Sequence, residues 1–132
     1  MARQTVDGSF EVTSWSEQPA AVLAGTAKVT VASIGQQFRG GIEAETIADM
    51  VMTYREDGTA EFAGYQRVHG RIGDRAGAFV LQSIGGFDGT TARSQLTVVA
   101  GSATGALAGL TGTGASEAPT GSTGTFTFDY EL

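Results

Sequence analysis

Cysteine is absent from this chain, so disulfides, a thiolate nucleophile and cysteine-ligated zinc are all excluded. Histidine is nearly absent: His69 stands alone, which excludes a multi-histidine metal site. Proline occurs only twice. Basic residues are scarce, with 8 Lys and Arg against 14 Asp and Glu, for a net charge of −6. An acidic surface repels phosphate backbones, so nucleic acid is not an expected partner. No apolar run approaches the roughly 20 residues of a membrane-spanning helix. The opening residues, MARQTVDGSF, lack the apolar core of a secretion signal. These absences lead to the expectation of a soluble, cytoplasmic protein with no membrane partner and no cofactor. A helical period long enough for a stable helix is also missing; 18–23 and 105–110 have length for a turn or two.

What is present is glycine and alternation. The chain has 132 residues, of which 41% are hydrophobic and 20 are glycine. That length is one domain, 1–132, and the apolar share is enough for a core. Glycine at this level without a collagen period implies many tight turns between short strands. Phe126, Phe128, Tyr130 and Leu132 alternate with Thr125, Thr127, Asp129 and Glu131, the pattern of a half-buried strand. Phe10 and Val12 alternate with Glu11 and Thr13. Ala27, Val29 and Val31 alternate with Lys28 and Thr30. Phe38, Ile42 and Ala44 share one face, and Met50, Met52 and Tyr54 then alternate with Asp49, Val51, Thr53 and Arg55. Asp57-Gly58 then predicts a two-residue hairpin in which both turn residues have positive φ. The return strand sets Phe62, Gly64, Gln66 and Val68 against Glu61, Ala63, Tyr65 and Arg67. Gly73-Asp74 and Asp88-Gly89 mark two further turns, and Asp7-Gly8 reads as a turn or bulge ahead of the first strand. Residues 78–84 are apolar on both faces and are expected to be covered on both.

The count is roughly eight strands of ordinary length. Eight antiparallel strands around one small core favour an all-β, eight-stranded antiparallel β-barrel, because closure removes exposed edges. A two-sheet sandwich is the alternative. A barrel of this size either fills itself or holds one small ligand.

Residues 98–114, VVAGSATGALAGLTGTG, form a strand running into a glycine corner, with Leu107 and Leu110 placed to plug a barrel end. The corner at 101–114 resembles that of allene oxide cyclase and dirigent barrels, a calycin-like architecture. The chain as a whole more closely resembles a bacterial domain-of-unknown-function family, number 3224, with the same barrel. The matching pieces are 38–43 (FRGGIE), 63–67 (AGYQR), 73–82 (GDRAGAFVLQ), 98–114 and 128–132 (FDYEL). The resemblance implies an acidic residue at position 66 and often a histidine near position 83. This chain has Gln66 and neutral Ser83 there, which weakens any expectation of carboxylate or imidazole catalysis.

If the aromatic face points inward, the lumen holds Phe38, Ile42, Met50, Met52, Tyr54, Phe62, Phe79, Leu81, Leu96, Phe126, Phe128 and Tyr130. The polar residues Gln66, Ser83, Ser94, Ser14 and Ser33 share that parity. Apolar walls with sparse polar points are the usual makeup of a small-molecule site, and also of a plain core with satisfied hydroxyls. Gln66 stands out, since an amide among apolar groups must find partners or cost a few kcal/mol. The opposite parity would instead place Glu43, Asp49, Arg67, Gln82 and Gln95 inside, and the ambiguity of 78–84 keeps that register open. Glu43 and Glu45 share a strand face and are read as solvated, paired with Arg39 and Arg67. His69 is read as an exposed loop-edge residue; a set with Asp74 lacks a nucleophile elbow. Trp15 is read as a rim residue of the barrel mouth or a subunit contact.

Two functions follow. One is a cofactor-independent isomerase or cyclase, as the resemblance implies, acting on an apolar small molecule. Tyr54, Tyr130, Gln66 and Ser83 would supply its few hydrogen bonds, with metal sites absent. The other is a non-catalytic small-molecule-binding or scaffold barrel. A homo-oligomer is a further expectation, through 78–84 with outward Ile47 and Val51.

Overall fold

The computed structural model describes residues 3–119 and 122–132, and among these there are nine strands and no helix. The strands are β1 (Arg3–Pro19), β2 (Lys28–Gly40), β3 (Ile42–Tyr54), β4 (Ala60–Ile72), β5 (Arg75–Phe87), β6 (Ala92–Val98), β7 (Thr104–Gly105), β8 (Thr111–Ala118) and β9 (Thr123–Glu131). Eight of them close a ring in the order β5-β4-β3-β2-β1-β9-β8-β6 and back to β5, with every neighbouring pair antiparallel. The two-residue β7 pairs with β5 below the point where β6 ends. The sandwich alternative is therefore set aside in favour of the closed barrel.

The alternation decides which side points in. Phe38, Ile42, Ala44, Met50, Met52, Gln66, Val68, Phe79, Leu81, Ser83, Leu96, Phe126, Phe128 and Tyr130 are all buried. Glu43, Asp49, Arg67, Gln82 and Gln95 face outward, so the inverted register does not occur. Arg67 pairs with Asp49 and Arg39 with Glu11, not with Glu43 or Glu45. His69 is exposed but lies within β4, not at a loop edge.

The lower end of the barrel is filled by aromatic rings lying over glycines of the adjacent strand. Phe10 pairs with Gly124 and Phe126 with Gly8 across β1 and β9, and Phe128 pairs with Gly114 across β8 and β9. A Cβ on Gly8 would sit 2.7 Å from Phe126 Cζ, and one on Gly124 would sit 2.5 Å from Phe10 Cζ. The Arg39 and Glu117 carbonyl oxygens lie closer still to these two positions, so any side chain would displace the facing backbone as well as the ring. With that space kept, Phe38 and Phe126 stack at 5.0 Å, and Phe128 and Tyr130 at 5.8 Å. The corner completes the closure. The chain leaves β6, turns at Gly101 (φ 80°), rejoins β5 through β7, and coils through i→i+3 bonds that bury Leu107 and Leu110.

Several local expectations are corrected. Only Gly58 of Asp57-Gly58 has positive φ; Gly58 N–H donates to Arg55 O and Arg55 N–H to Thr59 O. This is a three-residue loop with glycine in the left-handed position, and it spares Asp57 a strained backbone. The Asp57 carboxylate instead accepts from the Thr59 N–H at 3.0 Å. Asp7-Gly8 is no turn; it lies inside β1, whose pairing with β9 is continuous from Arg3 to Glu11. In β2 the parity is opposite to that expected: Thr30, Ala32 and Ile34 are buried, while Val31 is 50% exposed and Ser33 faces out. The anchor is Phe38, whose parity the rest of the strand must follow. Residues 78–84 are not covered on both faces. Ile84 is 52% exposed, and it forms an outer row with Ala63, Val51 and Val31 across four strands.

One irregularity re-aims a strand. Between Val12 and Ser14 the β1–β2 register slips by one residue, a β-bulge at Thr13. Beyond it the inward parity passes from even to odd numbers. Ser14 turns outward, with its Oγ accepting the Gly35 N–H at 3.1 Å, and Trp15 and Glu17 turn in.

The glycine–aromatic pairs yield a stability prediction. Gly8→Ala or Gly124→Ala forces both a ring and the facing backbone from their places and is expected to cost about 1–3 kcal/mol. Thr125→Ala, on the outer face of the same strand as Gly124, is expected to stay within about 1 kcal/mol of the parent. Urea unfolding of the three variants checks the contrast.

Candidate functional site

The upper half of the barrel is not filled. A cavity of about 260 Å³ lies above Phe10, Phe38 and Leu96 and extends past Ile34, Ala48, Met50, Met52 and Phe62 to Trp15, Tyr54 and Phe87 at the hairpin end. Its walls are mostly apolar. Two methionines, Met50 and Met52, sit side by side on β3, where flexible thioethers adapt to the shape of what they touch.

Polar groups on this wall form a track that the strand register explains. Gln36 on β2 pairs with Thr46 on β3. Gln66 on β4 is one diagonal step from Thr46, Ser83 on β5 one from Gln66, and Ser94 on β6 one from Ser83. Ser94 pairs directly with Ser116 on β8. Diagonal neighbours on one face of a sheet lie within reach of long side chains. Gln66 and Ser83 are each only 5% exposed. Gln66 Nε2 donates to Gln36 Oε1 at 3.0 Å and to Thr46 Oγ1 at 2.9 Å, and Thr46 Oγ1 donates to the Gln36 carbonyl at 3.2 Å. The amide is satisfied on its nitrogen side by protein alone.

A second cluster stands at the mouth. The Glu17 carboxylate accepts from Thr30 Oγ1 at 2.5 Å, from Trp15 Nε1 at 3.0 Å and from the Tyr54 hydroxyl. Lys28 Nζ lies 4.9 Å from the centre of the Tyr54 ring. Burial alone would raise the Glu17 carboxyl; the bonds from Thr30, Tyr54 and Trp15, with Lys28 nearby, outweigh it and hold the carboxyl below its ordinary value. Burial and the bond to Glu17 push the Tyr54 phenol above its ordinary value. Tyr54 therefore stays protonated as donor and Glu17 ionised as acceptor near neutral pH.

Of the residues singled out from sequence, Tyr54, Gln66, Ser83, Ser94, Phe38, Met50, Met52, Phe62 and Leu96 line the cavity. Ile42, Phe79, Leu81, Phe126, Phe128 and Tyr130 do not; they pack the closed end. The Tyr130 hydroxyl donates to Gln4 Oε1 at 3.1 Å, and so is not brought together with Tyr54, Gln66 and Ser83. Ser14 and Ser33 point outward. Trp15 is a rim residue, 49% exposed and lining the mouth. Sequence reasoning missed Gln36, Thr46, Ser116, Thr30 and Glu17. Gln36 and Thr46 carry the parity of Phe38 and Ala44, and that signal was available. Glu17 had none, because the bulge at Thr13 inverts its parity. Among the described residues no group of three or more His, Asp or Glu is placed to hold a metal ion.

A family model described as "Protein of unknown function (DUF3224)" matches residues 6–130. A solved structure from Shewanella oneidensis MR-1, a protein of unknown function from the DUF3224 family, superposes with a TM-score of 0.79. It is 26% identical, over 99% of this chain and 98% of that one. No curated protein matches.

The Glu17 cluster predicts a pH response. A carboxyl whose folded pKa is depressed stabilises fully above its unfolded value and loses that contribution as pH falls through the folded value. Trp15 is the only tryptophan and bonds Glu17 directly. Its fluorescence is expected to stay level from pH 7 to about pH 5 and to shift with a midpoint below the ordinary value of 4.5. The shift should vanish in Glu17→Gln. An unchanged acid titration in that variant assigns the transition elsewhere.

Proposed function

The chain belongs to the DUF3224 family, and from its cavity, not from that family's description, we propose that it binds a small, largely apolar molecule in the barrel lumen. One observation carries the reading: a space of about 260 Å³, walled mostly by apolar side chains, inside a barrel whose other half is packed. Protein interiors leave few voids larger than a water. A sequence that fills one end with stacked rings had the means to fill the other. Apolar walls with a few polar points at one side are what a small-molecule pocket needs for affinity and orientation.

Neither a nucleic-acid nor a membrane partner enters the proposal. The chain carries a net charge of −6. Its outer face bears ion pairs such as Arg67–Asp49 and Arg93–Asp88, where a lipid-facing barrel would carry an apolar band.

A second reading uses the same lumen for catalysis. A cofactor-independent isomerase or cyclase, of the kind the allene oxide cyclase-like corner implies, would hold a flexible substrate in a reactive shape within a dry cavity. The hydrogen-bonded Tyr54–Glu17 pair beside the mouth is the donor and acceptor such a reaction would draw on. Their pKa directions argue for binding first: the acid is held too weak and the base too weak to exchange protons readily near pH 7. The two readings differ in whether a product forms.

Ala48 lines the cavity from β3 and is only 5% exposed. Ala48→Leu is expected to occupy the lumen, raise stability by about 0.5–2 kcal/mol, and abolish the thermal shift that small aromatic hydrocarbons give the parent. Differential scanning fluorimetry checks both. A variant that loses stability while still responding to the hydrocarbon contradicts lumen binding.

A further inference from the structure

We infer that the molecule held in the lumen is uncharged and meets the wall through an N–H beside a C=O, the edge of a carboxamide or lactam. The inference rests on lumen binding as proposed above and specifies its chemistry.

One hydroxyl proton sets the pattern. Thr46 Oγ1 donates to the Gln36 carbonyl at 3.2 Å, so toward Gln66 it acts as an acceptor. That fixes the orientation of the Gln66 amide. Both hydrogens of Gln66 Nε2 are then committed, one to Thr46 and one to Gln36 Oε1. Among the described residues Gln66 Oε1 is left with no protein donor. By the same linkage Gln36 Oε1 is occupied, and among the described residues Gln36 Nε2 is left with no protein acceptor. Among the described residues no fully enclosed side-chain polar atom lacks a partner, so these free atoms lie at the cavity surface. Both residues line the cavity. Two linked amides thus present one unused acceptor and one unused donor to the same space.

The complement of that pair is a ligand with one donor and one acceptor close together. An ester or ketone leaves Gln66 Oε1 unpaired, and a hydrocarbon leaves both unpaired; each unmet buried group carries a penalty. Ser83, Ser94 and Ser116 continue the track with hydroxyls that adapt to either role.

Charge is excluded by what the walls omit. Among the described residues Tyr54 is the only titratable one lining the cavity, and its phenol is already donating to Glu17. Lys28 lies over the Tyr54 ring and is not among the lining residues. A carboxylate in the lumen would be desolvated without a counter-charge, and an ammonium would find only Glu17, whose carboxylate is at the mouth and already taken up by Thr30, Trp15 and Tyr54. The volume of about 260 Å³ is the room of about nine waters at ~30 Å³ each, which suits a compact small molecule.

Four probes of similar size separate the possibilities: benzamide, methyl benzoate, ethylbenzene and benzoate. Each is titrated into the full chain, with Trp15 fluorescence and calorimetry as readouts. Benzamide is expected to bind about tenfold tighter than methyl benzoate or ethylbenzene, and benzoate most weakly. Gln66→Met should bring benzamide within about twofold of ethylbenzene while leaving ethylbenzene unchanged. If that variant does not fold, Gln36→Met, at a half-exposed position, removes the donor alone and should reduce the same preference. Equal binding of benzamide and ethylbenzene, a preference that survives these substitutions, or tightest binding by benzoate would overturn the carboxamide inference and leave lumen binding standing. No binding by any of the four overturns lumen binding itself.

Discussion

The structure depends on aromatic rings laid over glycines at the closed end of the barrel. A ring needs a neighbouring strand without a side chain if it is to lie flat against the wall, and Gly8, Gly114 and Gly124 supply that space to Phe126, Phe128 and Phe10. Each buried ring is worth about 2–3 kcal/mol of apolar transfer. A barrel without these rings would have a hole along its axis; one with rings along its whole length would have no lumen. The glycines on β1, β8 and β9 therefore do more than permit turns. They decide where along the axis the core sits.

The upper half follows from the same register with different residues. β3 brings Ala48, Met50 and Met52 to the inner face, and β5 and β6 bring Ser83 and Ser94. These side chains are small or flexible, and none forms the ring stacks seen below. The rigid end fixes strand spacing, and the open end inherits that spacing without the volume to fill it. An unfilled lumen is thus a consequence of composition at one level of the barrel, which is why a single added side chain at Ala48 is a sharper probe than one at the packed end.

Much of this was legible from alternation alone. The inner faces of β3, β4 and β9 read directly off a period of two, whereas β5, apolar on both faces over 78–84, left its register open; Gln66 and Ser83 were identifiable as polar residues sharing an apolar parity. Parity reports in or out; it does not report height along the axis. Tyr130 and Tyr54 have the same inward parity, yet one lies at the closed end against Gln4 and the other at the mouth against Glu17. Height follows from pairing, and pairing partners 124 or 126 residues apart, as in Thr5–Asp129 and Gln4–Tyr130, leave no local trace. β2 shows a different failure. Its valines have the higher strand propensity, but Phe38, Ile34 and Ala32 carry the packing, so Thr30 is drawn inside and Val31 left out.

The bulge at Thr13 accounts for the rest, and it links fold to site. Without it, β1 would continue the parity of Phe10 and Val12, and Ser14 and Ser16 would meet the lumen in place of Trp15 and Glu17. One inserted residue therefore exchanges two hydroxyls for an indole and a carboxylate at the mouth. The carboxylate is tolerated there because three donors converge on it. Deeper in the lumen such a set is absent, and the corresponding groups are neutral amides and hydroxyls. Charge at the rim and neutrality within have a single physical origin. Water still reaches the rim and helps to solvate an ion, whereas the lumen offers only what its own walls provide, so a polar group survives inside only if it is uncharged and partly paired. The sequence of environments that an entering molecule meets, ionic and then neutral, is set by where the bulge falls on β1.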